Sequence, residues 1–231
     1  MGSFGIAYKE LQQELSGQLT QTGRSADAVR ILAVSKTFPV EAIQEAYDCN
    51  VRMFGENKIQ ELILKAEALP KDIEWHFIGH LQSNKASKAV QYASWIHSVD
   101  SLKLLEKLNR CAGELHKRPR ILLEVNSGEE TKSGVSYSDL PELARAAKEA
   151  ENLDWQGLMT MAPLCDDPQC WRNAFAKLRQ TRDELEKSLQ IKLPELSMGM
   201  SGDFAEAVQE GSTIIRIGSR LFGHRNYMTE N

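Results

Sequence analysis

The chain has 231 residues, 42% of them hydrophobic and 26% charged, the balance of a soluble globular protein long enough to bury a sizeable core. A formal net charge of −4, with both signs interleaved, argues against bulk binding to nucleic acid or an anionic membrane. No apolar run approaches a membrane span, and no charged segment precedes an apolar one at the start, so a cytoplasmic protein is expected.

Cys49, Cys111, Cys165 and Cys170 form no CxxC pair, and Cys165 and Cys170, four residues apart, have no neighbouring histidine to complete a metal set. All four read as reduced packing residues. His76, His80, His97, His116 and His224 show no HExxH spacing, so no metal is expected.

In chain order, Ile6, Leu11, Leu15 and Leu19 mark one face of a helix over residues 5–22, ended by Gly23. Ile31-Leu-Ala-Val34 reads as a strand buried on both faces, followed by Ser35, Lys36 and Thr37. Pro39 then opens a helix to about Cys49. Val51-Arg-Met-Phe54 predicts a short strand ended by Gly55-Glu56-Asn57, with a helical stripe of Ile59, Leu62, Ile63 and Ala66 after it.

The alternation continues. Strands are predicted at 74–78, 95–99, 120–125, 155–160, 195–198 and 213–217. Between them lie a polar helix at 83–92, a helix carrying Leu104 to Ala112, one from Ser138, a long one after Pro168, and a short one around Phe204 to Val208. Eight strands alternating with helices imply an α/β fold with a parallel sheet, closed into a (β/α)8 barrel or open and doubly wound. The length leaves no room for a second domain, so residues 1–231 are expected to form one unit.

The glycine-rich and polar segments fall at the C-terminal ends of the strands, the edge where such folds carry out chemistry. Lys36 sits there. A desolvated lysine can lose its proton near neutral pH and attack a carbonyl to form a Schiff base. Taken alone, a strand-end lysine reads as a solvated cap. Beside it, however, Ser197-Met-Gly-Met-Ser-Gly202 and Gly218-Ser219 suit a phosphate cradle, where backbone N–H groups and hydroxyls approach an anion. A carbonyl and a phosphate describe either a phosphosugar, as in a Schiff-base aldolase, or pyridoxal 5′-phosphate (PLP). Arg216 bears on the choice. It lies two residues before Gly218 on the last strand and so faces the same side. An arginine aimed at a pyridine nitrogen keeps that nitrogen unprotonated and weakens the cofactor as an electron sink.

Ala33-Val-Ser-Lys-Thr37, Phe54-Gly-Glu-Asn57, Trp75-His-Phe-Ile-Gly-His-Leu-Gln-Ser-Asn-Lys85, Lys132-Ser-Gly134, Gly157-Leu-Met159, Leu196-Ser-Met-Gly-Met-Ser201 and Arg216-Ile-Gly-Ser219 occur in this order. Together they closely resemble the pyridoxal phosphate homeostasis protein family, over nearly the whole chain. The resemblance implies a single (β/α)8 TIM barrel of PLP fold type III with an extra N-terminal helix, similar to the N-terminal domain of alanine racemase. It places PLP on Lys36, Asn57 near the cofactor, Ser197, Gly199, Gly218 and Ser219 at the phosphate, and Arg216 against the pyridine nitrogen. The loop Val125-Asn126-Ser127-Gly128 departs from the family pattern by one residue fewer between Asn and Ser.

The same resemblance implies a role in vitamin B6 homeostasis and amino-acid/keto-acid balance, without efficient catalysis and with no catalytic residue. Apo PLP-dependent enzymes are candidate recipients, and a monomer or weak dimer is expected. A low-efficiency racemase is the alternative, but it needs a second acid/base opposite the lysine. None of Tyr8, Tyr47, Tyr92, Tyr137 or Tyr227 has a clear claim to that place. A phosphosugar aldolase is the further alternative.

Overall fold

The computed structural model describes residues 2–128 and 133–223. Lys132 of the Lys-Ser-Gly motif, His224 and Tyr227 lie outside the described residues. Eight parallel strands close on themselves in sequence order: β1 Arg30–Val34, β2 Met53–Glu56, β3 Glu74–Phe77, β4 Trp95–Val99, β5 Arg120–Glu124, β6 Asp154–Met159, β7 Glu195–Ser197 and β8 Ile214–Ile217. Closure is made by β1 against β8, with Arg30 opposite Ile214 and Ala33 opposite Ile217. The open doubly wound sheet is thereby excluded, and every strand edge is paired.

The surrounding helices are α1 Ser3–Gln21, α2 Val40–Asp48, α3 Ile59–Ala68, α4 Ala86–Tyr92, α5 Leu102–Glu114, α6 Leu140–Lys148, α7 Pro168–Leu189, α8 Phe204–Gln209 and α9 Ser219–Phe222. Their apolar stripes follow the helical period and face the sheet. On α5, Leu104, Leu105, Leu108, Cys111 and Ala112 are all buried. Each such leucine contributes roughly 1.5–3 kcal/mol of burial free energy. The N-terminal helix α1 buries Phe4, Leu11, Leu15 and Leu19 against α8 and α9.

Several boundaries differ from the sequence reading by one or two residues, and three differences matter. Strand β2 starts two residues later and runs through Gly55 and Glu56, because the charge of Glu56 is answered by a lysine from α3. The polar helix begins as a 3-10 turn, Ser83–Lys85, before α4. Residues 219–222, for which no element is predicted, form the short helix α9.

The main apolar core lies between sheet and helices, while Trp95, Leu122 and Met159 form a separate small cluster inside the barrel. Polar side chains share the barrel axis with that cluster and with aliphatic residues such as Leu32 and Ile214. His76, His97, Ser197, Glu124 and Arg216 are all buried, where such barrels are ordinarily filled by branched aliphatic layers. Among the described residues, no helix is long and apolar enough to cross a membrane.

Candidate PLP-binding site

Strand β1 ends in buried Val34, and Ser35 is buried directly after it. The chain then turns sharply, with Phe38 N–H donating to the Ser35 carbonyl at 3.1 Å. Thr37 holds the left-handed conformation, φ 70°. For a β-branched residue this is strained, at a cost of order 1–3 kcal/mol. Lys36 is half-buried between the two. Pro39 caps α2 from one position before the first helical residue.

A buried charge cluster holds this turn from below. Lys65 on α3 donates to the Ser35 carbonyl at 2.9 Å, to Glu56 Oε1 at 2.7 Å and to Glu61 Oε2 at 3.3 Å. The Ser35 hydroxyl donates to Glu56 Oε1 at 2.7 Å, and Thr37 N–H donates to Glu61 Oε2 at 2.7 Å. Burial pushes the Glu56 carboxyl up, against the opposing pull of Lys65 and Ser35. Nothing in the local sequence pairs Glu56 with Lys65. The one legible sign was Glu61 four residues before Lys65, on one helix face.

Asn57 follows β2, and its Oδ1 is buried with no hydrogen-bond partner among the described residues. Gly79, after β3, presses on it. A Cβ at Gly79 would stand 2.2 Å from the Asn57 carbonyl oxygen, so only glycine permits this approach.

From the far side of the barrel, β7 and β8 bring Arg216. Its guanidinium is buried. NH1 donates to the Ser197 carbonyl at 2.7 Å and to Ser197 Oγ at 2.9 Å, and NH2 donates to the Thr160 carbonyl at 2.8 Å. Burial lowers its pKa to about 10, which leaves it charged at neutral pH. Two of its five N–H groups take no acceptor among the described residues. The Arg216 backbone N–H donates to the Gly199 carbonyl at 2.9 Å.

These elements enclose a cavity of about 310 Å³ at the C-terminal end of the strands. Lys36, Asn57, Arg216, Gly218 and Ser219 all line it, together with Ser201, Gly202 and an apolar wall that includes Phe38, Met159 and Met161. Ser201 Oγ and Ser219 Oγ approach to 3.4 Å at one side.

Ser197 and Gly199, expected at the phosphate, are buried next to the cavity and are not among the residues that line it. The Ser197 hydroxyl is occupied by Arg216 and by His97 Nδ1 at 3.0 Å. Gly199 has φ 96°, and a Cβ there would fall 2.6 Å from Ala207 Cβ on α8. Both residues therefore position Arg216. Ser201 and Gly202, further along the same motif, take the places at the cavity. The alternation of Met159 and Met161 at the end of β6 was the available signal for the apolar wall. Phe38 links the cavity to α1, since its ring stacks on Phe222 at 5.0 Å and Phe222 meets Phe4 at 5.0 Å.

The residues present fit PLP. A lysine sits at a strand end for an aldehyde, two hydroxyls and a glycine backbone are available for a phosphate, and an arginine with unspent donors can meet a ring acceptor. A wider cleft of about 450 Å³ lies at the opposite end, but its Arg30 and Arg52 are already paired with Glu195 and Asp72.

A closed (β/α)8 barrel with this cavity at its C-terminal end is the architecture of the alanine racemase N-terminal domain class, and residues 13–226 match the family model described as "Alanine racemase, N-terminal domain". Alanine racemase from Clostridium difficile 630 shares that fold, with a TM-score of 0.73 at 15% identity over 94% of this chain and 57% of that one. The chain belongs to the pyridoxal phosphate homeostasis protein family. It is 44% identical over 209 residues to the pyridoxal phosphate homeostasis protein of Aquifex aeolicus (strain VF5), covering 90% of this chain and 92% of that protein. It is also similar to PipY of Synechococcus elongatus PCC7942, whose structure was solved with PLP bound. There the identity is 41%, the TM-score 0.78, and the match covers 90% of this chain and 100% of the other.

Proposed function

We propose that this protein binds PLP in the 310 Å³ cavity and serves its homeostasis, holding the cofactor and passing it to apo PLP-dependent enzymes in the cytoplasm. The observation that carries this is the meeting of Lys36, Arg216 and the Ser201–Ser219 hydroxyl pair on one cavity. Bound PLP supplies an electrophilic carbonyl carbon and an electron sink. Lys36 provides the amine that holds that carbon. Ser201, Ser219 and the backbone at Gly202 and Gly218 receive the phosphate. Arg216 donates to the ring nitrogen and, staying charged, keeps it unprotonated. That damps the electron sink and favours holding over turnover.

Holding is further supported by the wall of the cavity. Among the described residues that line it, no histidine, tyrosine or carboxylate stands beside Lys36 as a second acid/base. Tyr8 lines the opposite cleft, and Tyr47 and Tyr92 donate to Asp72 and Glu67 away from the site.

Reconstitution with PLP followed by borohydride reduction and peptide mapping tests the reading. The expected result is a fixed adduct on Lys36 that Lys36→Ala abolishes while its melting temperature stays near that of the wild type. A wild-type protein that PLP cannot colour, or an adduct that persists in Lys36→Ala, would overturn it.

A further inference from the structure

A continuous chain of hydrogen bonds, buried except at its outer link, runs along the barrel axis from Glu74, at the N-terminal end of β3, to Arg216 at the floor of the cavity. His76 Nε2 lies 2.9 Å from Glu74 Oε1, His76 Nδ1 lies 2.9 Å from His97 Nε2, and His97 Nδ1 lies 3.0 Å from Ser197 Oγ. Arg216 NH1 completes it at 2.9 Å from Ser197 Oγ. Both imidazoles are fully buried, whereas Glu74 is part-exposed beside Arg120.

The two ends set the direction of every link. A guanidinium only donates, and an ionised carboxylate only accepts. Hydrogen bonding to His76 holds the Glu74 carboxyl below its ordinary range, so it is ionised at neutral pH. Burial pulls both imidazoles down, His97 the further, under additional repulsion from His76, Arg216 and Arg30, so both are neutral. His76 must then donate from Nε2 to Glu74, which leaves Nδ1 bare to accept from His97 Nε2–H. His97 Nδ1, bare in turn, accepts from the Ser197 hydroxyl, whose oxygen accepts from Arg216. One arrangement of protons satisfies the whole chain, and no link can reverse alone.

We infer that His97, backed by His76 and Glu74, is a positioning residue for Arg216. The proton-ordered chain locks NH1 onto Ser197, leaves the two unspent guanidinium N–H groups for the ligand, and so selects a ring that presents an unprotonated acceptor nitrogen. This rests on the reading of the cavity as a PLP site. It assigns the polar barrel axis a purpose that packing does not supply. Hydrogen-bonded imidazoles stand where other barrels place aliphatic layers, and without them the guanidinium would keep only its two carbonyl acceptors, at Ser197 and Thr160, with the Ser197 hydroxyl free to turn.

The test has two arms. In the apo protein, nitrogen-15 spectra of the imidazoles at neutral pH report the chain without any cofactor: His76 and His97 are expected to carry their protons on Nε2. In the PLP-loaded protein, His97→Leu is expected to shift the visible absorbance as Arg216→Gln does, and to weaken PLP binding about tenfold, the effect of one buried charge-assisted hydrogen bond. His97→Gln, whose amide both donates and accepts, restores both readouts to near wild type. Should His97→Leu fail to fold, Ser197→Ala breaks the chain one link nearer Arg216 and carries the same expectation. A folded His97→Leu or Ser197→Ala with wild-type absorbance and affinity would overturn the inference, as would a proton on His97 Nδ1. Failure of the wild type to bind PLP would instead overturn the cavity reading, while the apo spectra still judge the chain.

Discussion

Thr37 N–H donates to Glu61 Oε2 at 2.7 Å, and through that bond helix α3 grips the strained turn that carries Lys36. The acceptor is held by Lys65, which also takes the Ser35 carbonyl, so the residues on both sides of Lys36 are tied to one buried cluster.

Removing Glu61 should loosen that grip. Glu61→Ala is expected to lower stability by about 1–2 kcal/mol, since a backbone donor loses its partner while Lys65 retains Glu56. It is also expected to raise the dissociation constant for PLP about fivefold through a less ordered Lys36. Chemical denaturation and a PLP titration measure the two effects, and an unaltered titration would show that the turn holds itself.

Lys65 and Glu56 form an ion pair at 2.7 Å in which both side chains are almost wholly buried. Breaking such a pair from one side leaves an uncompensated buried charge, which costs about 3–5 kcal/mol. Lys65→Met is therefore expected to lose that amount, while Lys65→Met with Glu56→Gln recovers much of it. A double-mutant cycle by urea denaturation reads the coupling, and additive losses would mean that the two residues act separately.

Glu124, at the end of β5, is buried beside the Asp100 charge, and burial first, then Asp100, raises its carboxyl pKa to about 7 against the opposing pull of Arg216. The folded state thus keeps a proton that the unfolded chain releases at its ordinary value of 4.5. Stability contributed by this group is complete below that value, falls as pH rises through 7, and is then lower by about 3 kcal/mol. Glu124→Gln should melt like the wild type near pH 4.5 and well above it at pH 8. Melting curves that stay parallel across this range would refute the buried-carboxyl assignment.

The elements that were legible in the sequence share a cause. The Leu104–Ala112 stripe, the apolar run at β1 and the glycines after β7 and β8 express local periodicity or local backbone freedom, and both are written in consecutive residues. Even the end of β2 was misread for a local reason. Gly55 and Glu56 look like strand breakers until Lys65 arrives from another element to neutralise Glu56. The same limit explains the phosphate motif. Its composition drew attention to one loop, but Ser197 ends a buried strand while Ser201 lies in the turn that lines the cavity, and a local motif does not tell the two apart.

Local pattern thus set the alternation of strands and helices, the strand-end lysine and the arginine two residues before Gly218, and the motifs marked the family; closure of the sheet came from β1 pairing with β8. Only the tertiary structure decided what holds those two residues. Glu61 reaches Thr37 across 24 positions, His97 reaches Ser197 across 100, and Glu74, His76, His97, Ser197 and Arg216 become one chain because β3, β4, β7 and β8 face a common axis. A hydrogen bond depends on distance and direction in space. Residues this far apart in the chain acquire both only when the barrel closes.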